Sequence, residues 1–505
     1  MASAPPIAPA PAVAQRLSWP QRLAWMVCAM PELVKSFAWD AFVLFFYAQV
    51  VDLSGWLIGI AIAVIIVFDT LVDPWIGAFS DRLTGTRLGR RHSLMFAAIL
   101  PFSIGIAMVF APPAGMTQMQ ILAWLLGWGL LARCGISFWT VPAYALGGEL
   151  TGDTVERRLV AVLRNVGNQI VILTVPAVAF EVFFVASPAF PKAQLNPAPY
   201  PGFGMFVAIL GGTLMLLGAL GTYRRARQIE AQESFTPDSD AGSGPIAVLV
   251  RLVRAVRITP NIGKLLLVAF LVLFVNSVIN QLSLHLATYF WQLDPSWTPR
   301  LLMAATFGSL LAMVLAPLFL KMFSTRQAMV IGLCGFFAVQ ALAVLLPLGE
   351  FAPAAGTAAI GALIAGLRFL GGLAYGLYVV PFNVITYEIG DEHAYDTGRP
   401  AQGLVASFMF IGLQVGSGLV ALFAGSFLGI IDFPAGLPVD QMPQDKVRAL
   451  AWFVTALILV AGLAMAWLVG RFDVSAEKQA RIRAQLARLR AGEPQPTSAN
   501  PAPAP

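Results

Sequence analysis

Long apolar stretches recur along this chain of 505 residues, and they constrain its fold more than any other feature. Each stretch has about 20 or more residues, the length that an α-helix needs to cross a hydrocarbon core of roughly 30 Å. Inside such a core, a helix satisfies its own main-chain polar groups without water. The sequence therefore predicts an all-α membrane protein with twelve spans, near 27–51, 55–79, 92–112, 119–147, 158–186, 202–222, 260–291, 301–322, 327–348, 357–387, 402–430 and 447–470.

Composition and charge agree with a membrane protein. Hydrophobic residues make up 58% of the chain and charged residues 11%, whereas soluble domains are about 25% charged. The net charge is +6, but the basic residues lie in short loops rather than on one soluble face, so we expect no nucleic-acid partner. Loops rich in Arg and Lys alternate along the chain with loops that contain few of them. In membrane proteins the basic-rich loops face the cytoplasm. We therefore expect a bacterial-type inner-membrane protein with both termini cytoplasmic.

Polar segments divide the chain into regions. Residues 223–258 have a loop composition followed by a basic stretch, which is typical of a linker. We expect a six-helix bundle on each side of it, over 23–222 and 259–472. The Pro- and Ala-rich residues 1–22 are expected to be disordered. Residues 473–505 are expected to form a basic helix, bound to the anionic membrane surface or simply solvated, and then a disordered tail.

A short motif occurs once in each predicted half. Val141-Pro142 is followed by Glu149 and Pro381 by Glu388, with the same spacing of seven residues (149 − 142 and 388 − 381). The two copies are offset by 239 residues (381 − 142), and they close the fourth and the tenth span. Duplicated six-helix halves would place the motif at these equivalent positions. In such folds the solute site lies near the midplane, between the halves.

Acidic residues inside a span are costly unless they are neutralised, so they indicate function. Asp69 and Asp73 in span 2 are spaced i, i+4 and share a helix face. Two such carboxylates repel unless a cation or proton neutralises them, which is typical of a coupling-ion site. Alternatively, each acid pairs with a membrane arginine. The candidates Arg133, Arg164 and Arg368 are equally suited to an anionic group of a substrate.

Other polar and aromatic residues also lie within the spans. Span 1 contains Glu32, Lys35 and Asp40, and we expect Glu32 and Lys35 to form a structural ion pair. Most aromatic residues are expected to pack in the core or lie at the membrane interface. Alternatively, those beside the arginines, such as Tyr144 and Tyr378, form a stacking wall for a substrate ring.

Three motifs carry a resemblance to one family. They comprise Asp69, Asp73, Pro74, Gly77, Ser80, Asp81, Arg82, Gly89, Arg90 and Arg91; Glu388, Asp391, Thr397, Arg399 and Gly403; and Pro142, Glu149, Arg157 and Arg164. In these motifs the chain resembles the glycoside–pentoside–hexuronide:cation symporters, the melibiose-permease-like branch of the major facilitator superfamily. The resemblance implies the fold of that superfamily, which has twelve transmembrane helices in two pseudo-symmetric six-helix bundles.

The resemblance also implies roles for individual residues. It implies a cation site at Asp69 and Asp73, with Ser137 as a hydroxyl ligand, and it matches Arg164 to a cavity arginine. It further implies a charged network that latches the halves in one state and releases them in another. The residues assigned to this network are Gly77, Asp81, Arg82, Arg90, Glu149, Glu388, Asp391 and Arg399.

The chain departs from the family at four positions. Val72 stands where sugar-transporting relatives have a polar cation ligand, and Gln414 replaces a lysine of helix 11. Leu33 and Thr140 stand at the acidic sugar-binding positions of helices 1 and 4. These departures leave the coupling ion open between Na⁺ and H⁺. The same branch of the superfamily includes lysolipid carriers, so an anionic or amphipathic solute is an alternative to a sugar.

The function that these observations predict is secondary active transport of a small solute, which the resemblance implies is a sugar or glycoside, by alternating access. We expect a lipid-embedded monomer that binds a coupling ion and no other cofactor or metal. The predicted substrate residues are Arg133, Thr140, Tyr144, Arg164, Arg368, Tyr378 and Gln414. An uncoupled facilitator or exporter is an alternative within transport. A membrane-embedded enzyme is less favoured, because the three histidines are scattered and no H-E-x-x-H, P-loop or G-x-S-x-G motif occurs.

Overall fold

The computed structural model describes residues 17–83, 86–149, 154–232, 253–397, 420, 422–472 and 481–482, apart from some side chains within the helices. Its helices are α1 (Trp19–Val50), α2 (Gly55–Arg82), α3 (Arg90–Val109), α4 (Gln118–Glu149), α5 (Thr154–Val178), α6 (Pro199–Gln232), α7 (Pro260–Phe290), α8 (Trp297–Met322), α9 (Thr325–Leu348), α10 (Ala358–Thr397), α11 (422–430) and α12 (Gln444–Gly470). Each predicted span therefore contains a helix.

The described part contains ten helices that are long and apolar enough to cross a membrane. The two others are α2, several of whose side chains lie outside the described residues, and α11, which is described over residues 422–430. Length and hydropathy thus agree with a multi-pass membrane protein. These helices could be recognised from the apolar pattern of the sequence, because each spanning helix needs an apolar stretch long enough to cross the hydrocarbon core.

The same helix pairs pack together in each half. In the first half, α1 packs against α6, α2 against α4, and α3 against both α4 and α6. In the second half, α7 packs against α12, α8 against α10, and α9 against both α10 and α12. Adding six to each helix number of the first set gives the second set. The packing confirms the two pseudo-symmetric bundles that the resemblance implies.

Helices α1 and α7 also end in the same way. Each finishes in a π-helical segment, Phe46–Val50 in α1 and Leu286–Phe290 in α7. Two residues further on, Asp52 and Gln292 take left-handed conformations with φ of 58° and 53°, which is uncommon for residues other than glycine. Their offset is 240 residues (292 − 52), one more than that of the proline motif. The duplication seen in one sequence motif therefore extends to the main chain.

Glycines allow α8 and α10 to approach closely. A methyl group on Gly372 would overlap the Ala305 carbonyl, and one on Gly308 would overlap the Phe369 carbonyl. Within a membrane, no hydrophobic driving force brings helices together. They associate through close van der Waals contact, which small residues at the helix crossing allow. This contact holds α10 at a fixed position beside the interior of the second bundle.

An ion pair joins the start of α1 to the start of α5. The Arg22 guanidinium donates from Nε to Glu156 Oε1 over 2.7 Å and from Nη2 to Glu156 Oε2 over 3.0 Å. Both side chains are largely buried. Such a bidentate pair is geometrically specific, so it fixes the angle at which α1 enters the first bundle.

The predicted region boundaries are only partly covered by the described residues. Helix α6 continues to Gln232, ten residues beyond the predicted end of the first bundle at 222 (232 − 222), and a short helical stretch over 253–258 precedes α7. Residues 1–16 and nearly all of 473–505 lie outside the described part. The linker, the disordered termini and the basic tail helix stay predictions.

Candidate functional site

A cavity of about 400 Å³ lies between the two halves. Its walls come from α1, α5 and the π-helical turn Ala179–Phe183 of the first half, and from α7, α8, α9 and α10 of the second. Its volume falls in the range of about 300–1,000 Å³ that is usual for small-molecule sites. Aromatic rings and polar groups share its walls. The polar lining comprises Ser36, Asp40, Asn276, Asn280, Ser283, Thr298, Ser309, Gln340, Arg368 and Tyr375. We refer to it as the central cavity.

Among the predicted substrate residues that the structure describes, Arg368 lies in the wall of the central cavity. Tyr378 lies behind this wall: its ring packs on the ring of Tyr375, with 5.8 Å between the centroids, and Tyr375 lines the cavity. Tyr378 is itself buried. It therefore supports the position of Tyr375 from within the second bundle.

Three other predicted substrate residues line a second, narrow cavity within the first half. Thr140 and Tyr144 of α4 and Arg164 of α5 surround it together with Glu32 of α1. The Arg164 guanidinium lies over the Tyr144 ring, 4.2 Å from its centroid. The cavity has a volume of about 20 Å³, which is enough for about one water molecule. The structure thus separates these residues from Arg368, and their role in binding stays a prediction.

The polar residues of span 1 lie near Arg133. Lys35 Nζ donates to Glu32 Oε1 over 2.8 Å, which confirms the predicted ion pair. The buried Arg133 guanidinium lies over the Trp39 ring, 5.2 Å from its centroid, in a cation–π contact. Asp40 follows Trp39 and is exposed to the central cavity.

The predicted cation site falls on α2 and α4, which pack together. Asp69 and Asp73 lie one turn apart in an unbroken helix, and Asp73 is half-buried. Ser137 is buried on α4. The Asp69 side chain and the whole of Gln414 lie outside the described residues. A cation held by Asp69, Asp73 and Ser137 therefore stays a prediction.

The predicted latch residues are described in part. The Arg90 main-chain N–H donates to Glu230 Oε1 over 2.8 Å, which ties the start of α3 to the end of α6. On α10, Glu388 is buried and Asp391 is half-buried. Gly77 lies in α2, whereas the side chains of Asp81, Arg82 and Glu149, and the whole of Arg399, lie outside the described residues. The role of this network stays a prediction.

Hydrogen bonds join the two halves at the end of the molecule where α1 and α7 finish, which we call the α1/α7 end. Tyr289 Oη donates to Gln49 Oε1 over 2.8 Å. Gln194 Nε2, from the loop after α5, donates to Thr288 Oγ1 over 2.7 Å. All four side chains are buried. These bonds hold the halves together beyond the central cavity.

Lys192 adds a charged contact at the same end. Its Nζ donates to the main-chain carbonyls of Gln292 over 2.5 Å and Leu293 over 2.7 Å. Burial lowers the pKa of Lys192 from its ordinary value, and the nearby Asp294 carboxylate opposes that change. The ammonium meets carbonyls just beyond the end of α7, where the helix dipole favours positive charge.

Several groups of the central cavity are not among the residues that the sequence predicts for the site. Asp40 carries no predicted role, and neither do the amides of Asn276, Asn280 and Gln340. Asn276 and Asn280 carried a usable signal, because two amides spaced i, i+4 in an apolar span share one face.

Comparison with known proteins decides the family. A model of the family described as MFS/sugar transport protein matches residues 25–476, which is most of the chain. The chain belongs to this family. MFS denotes the major facilitator superfamily, so the match agrees with the resemblance of the three motifs and with the paired six-helix bundles described above.

Two curated relatives match parts of the chain. "Putative glycoside/cation symporter YagG" of Escherichia coli (strain K12) is 33% identical over 124 residues, covering 24% of this chain and 26% of the relative. "Uncharacterized symporter YnaJ" of Bacillus subtilis (strain 168) is 24% identical over 258 residues, covering 50% of each. The chain thus spans about a quarter of one relative and half of the other.

Solved structures of transporters share the fold over most of the chain. The inward-open xylose transporter XylE from E. coli superposes with a TM-score of 0.57 at 13% identity, covering 92% of this chain and 98% of that one. A bacterial homologue of the human lysosomal transporter Spinster, inward-facing and unoccupied, gives a TM-score of 0.61 at 16% identity, covering 90% and 98%. At such low identity, the likeness shows the fold alone.

Proposed function

We propose that this protein is a secondary transporter that moves a small polar solute, a sugar or glycoside, across the inner membrane by alternating access. One observation carries the proposal: the central cavity takes its walls from both halves and combines aromatic faces with amides, hydroxyls and two charged side chains. Aromatic faces and converging hydrogen-bonding groups suit the apolar face and the hydroxyl edge of a sugar ring. The family and the name of the E. coli relative support the same solute class.

Alternating access follows from the position of the cavity between two bundles. The bonds at the α1/α7 end must break before a solute can pass that end, and contacts between the halves on the other side must then form. A solute or ion shifts the carrier between these states only if it binds one state better than the other. We assign the coupling ion, Na⁺ or H⁺, to Asp69 and Asp73, with both termini in the cytoplasm.

Uptake into proteoliposomes tests the proposal. The purified protein would be reconstituted, and uptake of labelled xylose, galactose and methyl glycosides would be followed with an imposed Na⁺ gradient, an imposed H⁺ gradient or neither. We expect at least one compound to accumulate above equilibrium under one gradient. Uptake that equilibrates under every condition would contradict coupling and support an uncoupled facilitator. No protein-dependent flux of any compound would contradict the transport of sugars.

A further inference from the structure

Helices α1 and α7 contact each other at equivalent positions of the two halves. The Phe45 ring of α1 packs edge-on against the His285 ring of α7, with 4.9 Å between the centroids. One turn further along both helices, Tyr289 donates to Gln49. Both pairs are offset by 240 residues (285 − 45 and 289 − 49), the offset found above for the left-handed residues after each helix. Residues that face their own repeat equivalents lie at the pseudo-two-fold axis between the halves. His285 therefore belongs to the surface that separates when the halves move apart.

The His285 imidazole lies in an apolar cage with no exposed surface. Phe45 covers it from the first half, and Phe433, in the loop after α11, packs edge-on against it with 6.0 Å between the centroids. Phe433 belongs to the same half as His285, so separation of the halves removes Phe45 and uncovers one side of the ring.

The polar atoms on this face of α7 are left without partners. Within the described part of the chain, neither ring nitrogen of His285 has a hydrogen-bond partner. The buried amide oxygen of Gln281, one turn earlier on α7, has none there either. Buried polar groups are nearly always hydrogen-bonded, and each exception calls for a reason. Two such groups in a row at the contact between the halves indicate a face that meets water in another state of the carrier.

No charge compensates the burial of His285. The titratable groups on the elements packed around it are Asp40 and Asp52 on the α1 side, Asp432 and Asp440 in the loop after α11, and Asp445, Lys446 and Arg448 at the start of α12. Helix α7 itself adds Tyr289. None of these groups, within the described part, acts on the charge of the imidazole. A protonated ring in this cage would be a buried charge without a counter-charge, so the closed state holds the neutral ring.

We propose that His285 makes closure of the α1/α7 end sensitive to pH: when the halves part, its ring meets water and takes up a proton, and the imidazolium then disfavours closure. This inference rests on alternating access in the proposed function and concerns the regulation of that movement. With the N-terminus in the cytoplasm, as proposed, α1 ends on the outer side of the membrane. The pH that matters is then the external one.

The sign of the effect follows from proton linkage. Only the open state binds the additional proton, so a higher proton concentration shifts the carrier toward the open state. An imidazole in water has a pKa of about 6.5. Closure therefore keeps its full stability above about pH 6.5 and loses it progressively as the pH falls below that value.

A distance across the closed end tests the inference. Ala114, between α3 and α4, and Ala355, between α9 and α10, are exposed in loops on opposite halves at this end. Spin labels at Ala114→Cys and Ala355→Cys would be introduced into the full-length protein with its three native cysteines replaced by alanine. Pulsed electron–electron double resonance then gives the open and closed populations. We expect the ratio of open to closed protein to rise about tenfold from pH 7.5 to pH 5.5.

Variants assign the pH response to one residue. His285→Phe places at position 285 the ring that position 45 carries, and it should make the ratio independent of pH over this range. His285→Gln should also abolish the response while it keeps a polar side chain, which separates loss of the proton from loss of polarity. His92→Gln is the matched control, because His92 is equally buried but lies within the first half, 3.0 Å from Thr222 Oγ1. It should keep the tenfold response.

Each outcome has a distinct meaning. An open-to-closed ratio that does not change with pH in the unmodified sequence, or that changes equally in both His285 variants, would overturn this inference and leave the proposed function intact. Loss of the response in His92→Gln would overturn it as well. A label distance that stays in the closed range at every pH, with and without the sugars of the uptake test, would contradict alternating access and so overturn both.

Discussion

The Lys192 ammonium donates to the main-chain carbonyl of Leu293 over 2.7 Å, and this contact joins the loop after α5 in one half to the end of α7 in the other. A hydrogen bond to a charged group contributes about 1.5–3 kcal/mol. Lys192→Met removes it, so we expect the α1/α7 end to open more often. Amide hydrogen exchange over residues 286–293 should become about tenfold faster or more, measured by mass spectrometry. Lys192→Arg is the control that keeps the charge. Unchanged exchange in Lys192→Met would show that the contact does not hold the halves together.

Gly372 offers a test of the packing between α8 and α10. A methyl group there would overlap the Ala305 carbonyl, so Gly372→Ala is expected to lower the free energy of unfolding by about 1–3 kcal/mol. Gly366→Ala on the same helix is the matched control, because nothing lies within 4 Å of its added methyl group. In a helix this control change is neutral or stabilising by up to about 1 kcal/mol. Equal unfolding temperatures of the two variants in detergent would contradict the close approach of the helices.

The ion pair between Arg22 and Glu156 can be tested by a double-mutant cycle. Each single change, Arg22→Met or Glu156→Met, leaves the other charge largely buried and alone, so we expect a loss of about 3 kcal/mol of stability. The double variant should lose less than the two single variants together, because neither charge remains. The free energies of unfolding by denaturant give the coupling. Strictly additive losses would mean that the pair does not act as a unit.

Asp73 is the residue through which coupling can be tested. Asp73→Asn removes one carboxylate of the proposed cation site, so we expect it to abolish accumulation of the solute in proteoliposomes while exchange of internal for external solute continues. Asp432→Asn is the control: Asp432 is an exposed loop residue with φ of 46°, a conformation that asparagine adopts readily. Undiminished accumulation by Asp73→Asn would remove the cation site from α2.

The spans and the two-bundle fold could be predicted because their signals are local or repeated. A hydrocarbon core imposes a length on each apolar stretch, so helices such as α3 and α9 follow from hydropathy alone. The repeat of Pro142 at Pro381 marked the duplication, which the packing then confirmed. The ends of helices were less predictable. Helix α6, for example, runs on to Gln232 as a polar extension that hydropathy does not detect.

The composition of the central cavity was harder to predict, because it depends on how each helix is rotated. Arg164 and Arg368 were both candidate substrate residues, and the resemblance favoured Arg164 as a cavity arginine. In the structure Arg164 lies over Tyr144 within the first half, whereas Arg368 faces the cavity between the halves. As an acid inside a span, Asp40 carried a general signal, but the sequence did not show that it faces the cavity from a π-helical turn of α1. Such a turn changes the direction of the following side chains, and the local apolar pattern does not reveal it.

The acceptors that Lys192 meets are main-chain oxygens, and this affects how the contact can evolve. Residues 292 and 293 can be substituted without loss of the acceptor carbonyls, provided that the residue at 292 tolerates a positive φ. The contact requires only that a basic side chain is retained at position 192. Homologous carriers that use this contact should therefore keep a basic residue on the loop after α5 even where the sequence beyond α7 has diverged.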